Sequence, residues 1–97
     1  MPGKKEDCKK ILEKRFVIKN KLGLHARPAA LFVQTANRYQ CRVEVQKGNE
    51  KVNGKSIMGI MTLAAGVGTA ITVRTEGPDA QKAMTDIAKL INSDFGE

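Results

Sequence analysis

No stretch of the chain constrains its fold more than CRVEVQKGNEKVN, residues 41–53. Val43 and Val45 alternate with Arg42, Glu44 and Gln46. That two-residue period belongs to a strand with one face in a core and the other in water. Gly48-Asn49 comes next, and these two residue types tolerate the positive φ that a tight hairpin turn demands. Residues 50–53 should therefore pair back as a short antiparallel strand. A lone hairpin is barely stable in water, so the rest of the chain must add strands and cover the apolar face.

The other segments supply both. "RFVIKN" (15–20) reads as a short strand with Phe16 and Ile18 on one face and Val17 on the other. Gly23 breaks that pattern. From Pro28 the spacing turns helical, with Leu31, Phe32, Thr35, Ala36 and Tyr39 three to four residues apart, which predicts a helix from Ala26 to Arg38. Proline suits its first turn, where the missing N–H is not needed. Ser56 can cap a short helix in "IMGIMTLAA", which Gly66 and Gly68 end. "TAITVRTE" (69–76) alternates again, with Ile71 and Val73 inward. Gly77-Pro78-Asp79 opens a last helix whose stripe is Ala80, Ala83, Met84, Ile87, Leu90 and Ile91. The order is β-α-β-β-α-β-α, an α+β layer of mostly antiparallel sheet with helices on one face. At 97 residues the chain fits one domain. Residues 1–14, charged and without clear period, are expected to form a flexible N-terminal extension, and 15–97 the domain.

Composition narrows the function classes. Apolar residues make up 41% of the chain, but no run approaches the roughly 18 that a membrane span needs. "MPGKKEDCKKILEKR" lacks the apolar stretch of a secretory signal, so the cytoplasm is the expected compartment. With two distant cysteines, Cys8 and Cys41, and one histidine, the chain cannot assemble a zinc site, and the cysteines read as free thiols. The formal net charge is +7, yet residues 4–15 hold six Lys/Arg against three Asp/Glu and so supply +3 of it. No basic stripe is interleaved with aromatics, which argues against nucleic acid as the partner. No glycine-rich phosphate loop or Walker-type lysine is present, so no nucleotide or other cofactor is expected.

The chemistry concentrates in "GLHARPAA", residues 23–30. His25 stands at the entrance of the predicted helix. There the backbone N–H groups lack intrahelical partners and the dipole is positive. A neutral imidazole keeps the lone pair that makes it a nucleophile. An anion on the ring would lie where helix N-termini bind phosphate, with the Arg27 guanidinium close by in sequence. The stretch is suited to accept a phosphoryl group on its own histidine. A protein that does so without a nucleotide site should receive phosphate from one protein and give it to another. A second cluster, "GKSIMGIMTLAA", places Ile57, Met58, Ile60, Met61 and Leu63 around nearly the whole circumference of a short helix. One face must meet solvent and offers an adaptable surface to partners.

"GLHARPAA" followed some thirty residues later by "GKSIMGIM" closely resembles HPr, the histidine-containing phosphocarriers of the bacterial phosphoenolpyruvate-dependent sugar phosphotransferase system. The likeness covers about residues 15–92. It implies an open-faced β-sandwich, four antiparallel strands with three helices on one face. It also implies that His25 is phosphorylated through Nδ1 and that Arg27 steadies the phosphoryl group. By the same likeness Ser56 matches a serine modified by an ATP-dependent kinase, the HPr serine kinase/phosphorylase. Ala30, Ile57, Met58 and Met61, with Arg27, match a docking surface for enzyme I and the IIA domains of sugar permeases. The resemblance implies a monomer that carries phosphate through a covalent phosphohistidine instead of turning over substrate alone. A histidine at 25 sets the chain apart from regulatory relatives that have lost it. The extension and the basic charge depart from the usual pattern.

Overall fold

The computed structural model describes residues 10–96. Four strands and three helices follow in the expected order: β1 (Ile11–Val17), α1 (Ala26–Ala36), β2 (Arg42–Lys47), β3 (Glu50–Asn53), α2 (Ile57–Thr62), β4 (Ala70–Glu76) and α3 (Ala80–Asn92). A 3-10 turn, Asp94–Gly96, closes the described part. The sheet runs β1-β4-β2-β3 with every pair antiparallel. β4 thus lies between β1 and β2, an order that alternation alone could not provide. The helices cover one face, and the architecture is the open-faced α+β sandwich.

The register explains the pattern of burial. Val43, Val45, Ile71 and Val73 turn inward and meet Phe32, Ile60, Leu63 and Ile87 from the helices in one core. Each such side chain contributes roughly 1.5–3 kcal/mol when fully buried. The opposite sheet face is open and polar. Register sets Glu13 and Glu44 on either side of Arg74, whose guanidinium lies 3.7 Å and 3.5 Å from their carboxylates and 3.7 Å from that of Glu76. Partly exposed ion pairs of this kind add little stability.

The domain boundary requires a correction. Residues 11–14, expected from their charge and lack of period to belong to the flexible extension, are strand: β1 begins at Ile11 and pairs with β4 from Ile11↔Glu76 to Val17↔Ala70. The period was hidden because β1 is an edge strand with little to bury. Glu13 and Arg15 face solvent on the open side. Lys14 has the inward parity but stays exposed, its ammonium 5.7 Å from the centre of the Phe16 ring. Charged edges of this type discourage edge-to-edge pairing. Residues 1–9, including Cys8, lie outside the described residues.

Asp79 stands at the N-cap of α3 without capping it. Its two carboxylate oxygens instead accept from the backbone N–H groups of Gln40 and Cys41, each at 2.9 Å, and so anchor the approach to β2. Burial works to raise its pKa, but the two backbone donors outweigh that and hold it below the ordinary carboxylate value. The neighbouring Cys41 thiol is buried, and that burial, with the Asp79 carboxylate, pushes its pKa up to about 11. Because Asp79 binds a proton more weakly folded than unfolded, its stabilisation is present above the ordinary carboxylate range, near pH 4, and lost as pH falls through the lowered folded value. Asp79→Asn should be less stable than the parent at pH 6 and show a flatter acid limb. Urea midpoints measured between pH 2.5 and 6 test this, and parallel curves for the two proteins would refute it.

Candidate functional site

His25 is the N-cap of α1, with extended backbone angles (φ −81°, ψ −168°). Its carbonyl accepts the first helical bond, from Ala29 N–H at 3.0 Å, while its ring makes no capping hydrogen bond. The amides of Ala26 and Arg27 belong to the first turn, where no carbonyl lies four residues back within the helix. Pro28, with no N–H to satisfy, is buried. The residue types therefore leave the ring half-exposed at the positive end of an 11-residue helix. Arg27 is exposed on the first turn. Ala30, three residues on, shares its flank and is half-buried.

The loop that carries His25 is held from below. Gly23 has φ +68° and donates to Asn20 O at 3.0 Å, while the Asn20 side-chain amide donates to Gly23 O at 2.7 Å. Leu24 N–H donates to Ala65 O at 2.9 Å, which fastens the loop to the turn after α2. The same turn closes a hollow of about 270 Å³ lined by Leu22, Leu24, His25, Met61, Ala64, Ala65 and Gly66. His25 and Met61 thus line one shared depression.

α2 divides its apolar residues sharply. Ile60 is 0% and Leu63 1% exposed, whereas Ile57 is 43%, Met58 76% and Met61 41% exposed. Of the five residues taken from sequence, two are core and three are surface. Ser56 caps the helix, its Oγ accepting from Gly59 N–H at 3.1 Å. It is half-buried and immediately precedes the exposed Ile57 and Met58. Sequence reasoning missed Leu22, which is 74% exposed and lines the hollow with His25. A large apolar side chain beside a loop glycine was the available signal.

A protein-family model described as the PTS HPr component phosphorylation site matches residues 12–93. The chain belongs to the HPr family. It is thereby one of the phosphocarriers of the phosphotransferase system, in which phosphohistidine chemistry serves sugar transport. The phosphocarrier protein HPr of Neisseria meningitidis is 49% identical over 87 residues, covering 90% of this chain and 98% of that protein. The HPr-like protein Crh of Halalkalibacterium halodurans is 50% identical over 84 residues, 87% of this chain and all of that one. Among solved structures, HPr-C-His from Thermoanaerobacter tengcongensis has a TM-score of 0.86 at 51% identity, covering 89% of this chain and 97% of its own. The HPr match begins at Leu12, inside β1, which supports the same correction to the domain boundary. No helix among the described residues is long and apolar enough to cross a membrane.

Proposed function

We propose that this HPr-family protein accepts a phosphoryl group on His25 from phospho-enzyme I and passes it to sugar-specific IIA components in the cytoplasm. The observation that carries the reading is the setting of His25: a half-exposed imidazole at the positive end of α1, sharing a hollow with Met61. Nδ1 attacks phosphorus with the ring proton on Nε2. The donor's N–P bond breaks as the new N–P bond forms, so neither water nor nucleotide is needed. The first-turn amides and Arg27 stabilise charge on the phosphoryl oxygens, chiefly during transfer. The exposed Ile57, Met58 and Met61, with Ala30 and Leu22, give partners an adaptable apolar surface beside the nucleophile. A single copy suffices for this chemistry. The test is incubation with phosphoenolpyruvate and enzyme I, with one acid-labile phosphate expected, on His25.

A second reading is favoured by the relatives named Crh, in Halalkalibacterium halodurans and Bacillus subtilis, which stand beside those named HPr. Here phosphorylation of Ser56 by a serine kinase selects the partner. A dianion on Oγ would sit at the cap of α2, beside Ile57 and Met58, and would change the docking surface more than the fold. Ser56→Asp can keep the cap, since its carboxylate can accept the Gly59 N–H. It should lower kcat/KM for phosphorylation by enzyme I about tenfold, equivalent to 1.4 kcal/mol, with an unchanged circular dichroism spectrum. Equal transfer by Ser56→Asp and the parent would remove the regulatory reading.

A further inference from the structure

Lys47 ends β2, and the alternation that turns Val43 and Val45 inward turns Lys47 toward the helices too. Lys47 is half-buried there, and its ammonium takes oxygen partners. It finds them at the end of α2: Nζ donates to Leu63 O at 2.9 Å and to Ala64 O at 3.4 Å. Carbonyls at a helix end lack intrahelical donors and carry the negative end of the dipole. α2 has six residues, too few to hold together unaided, and the next residue but one, Ala64, is left-handed at φ 51°. The corner at residues 63–66 therefore depends on what it is fastened to.

The His25 loop rests on that corner. The residue after Ala64 supplies the carbonyl that accepts Leu24 N–H at 2.9 Å, and His25 follows Leu24. On the other side, Met61 leads from the corner into the exposed part of α2, and it lines the hollow that also contains His25. One ammonium thus fastens a corner to which the nucleophile and the docking helix are both attached.

We propose that Lys47 is a positioning residue for His25, holding the corner so that the imidazole and the Met61 end of α2 keep one relative placement. Its effect on transfer rests on the reading of His25 as phosphoryl acceptor; its effect on the loop does not. Lys47→Met keeps the stem and removes the donor. Lys47→Arg keeps a donor. Lys51→Met, on the open side of β3, removes the same charge away from the corner.

Two measurements decide. In hydrogen exchange followed by NMR, Lys47→Met should speed exchange of the Leu24 amide about tenfold, and Lys47→Arg and Lys51→Met should stay within about twofold of the parent. With phosphoenolpyruvate and enzyme I as donor, Lys47→Met should lower kcat/KM about tenfold, mainly through KM, because docking must first restore the corner. Lys47→Arg should recover most of that loss. If Lys47→Met behaves like Lys51→Met in Leu24 exchange and in KM, the positioning role is wrong whatever its melting temperature. A parent protein that takes no label from enzyme I would overturn the His25 reading, and the Leu24 exchange comparison would still decide the role of Lys47.

Discussion

His25→Ala should take up no acid-labile phosphate from phosphoenolpyruvate and enzyme I, while the parent takes up one per molecule. The loss is complete because the substitution removes the atom that forms the bond to phosphorus, and nothing else in the site can replace it. The chain has no second histidine. Cys41, whose thiolate could in principle attack, is buried with its pKa pushed up to about 11, so it offers almost no thiolate at neutral pH. The fold should survive. The ring is half-exposed and makes no capping hydrogen bond, and the first helical bond uses the backbone carbonyl, which alanine retains. Substitution at such a position usually changes stability by less than about 1 kcal/mol. Phosphate content after acid treatment and a thermal melt, taken together, give a clear outcome: full loss of label at nearly unchanged stability. Label that persists in the variant would exclude His25 as the acceptor.

Much of this was legible because two periods coincide with two chemistries. The alternation at Val43 and Val45 and at Ile71 and Val73 identified the buried face, and all four residues are core. Ser56 was legible as a cap, because a serine before an apolar run satisfies an amide that the helix itself cannot. What stayed hidden shares a physical reason: it depends on pairing across the chain. The first half of β1 reads as a charged tail until Glu13 is set opposite Arg74. Phe95 is buried past the end of the last stripe, in a left-handed residue (φ 57°) that no helical period predicts. Lys47 looks like an ordinary strand-end lysine, and only the position of α2 gives its ammonium the Leu63 carbonyl. For α2 the sequence showed that one face must be exposed, but the choice of Ile57, Met58 and Met61 over Ile60 and Leu63 follows from where the sheet lies.

Gly23→Ala should damage both the fold and the transfer, more than any surface substitution in the domain. Two costs combine. At φ +68° an L side chain costs roughly 1–2 kcal/mol relative to glycine. A β-carbon there would also stand 2.5 Å from Ala65 O and 2.7 Å from Gly66 Cα, and both are backbone atoms that no rotamer change can move aside. The loop and the corner after α2 must then part. This threatens the bond from Leu24 N–H to Ala65 O, in a residue that is itself buried, and leaving a buried donor unsatisfied costs about 1–3 kcal/mol. A total near 3 kcal/mol is a large share of the roughly 5–15 kcal/mol that a domain possesses, and should lower the melting temperature by more than about 10 °C. Gly48→Ala separates the two costs. Gly48 also has a positive φ, +58°, but an added β-carbon there meets nothing within 4 Å, so only the backbone cost of roughly 1–2 kcal/mol applies. At a temperature where both variants are folded, Gly23→Ala should transfer phosphate about a hundredfold more slowly than the parent, since a displacement near 1 Å at a reacting group can cost that much. Gly48→Ala, on the hairpin turn, should transfer at the parental rate. If the two variants melt together and transfer equally well, the close contact between the His25 loop and the corner at Ala65 has no part in holding the nucleophile.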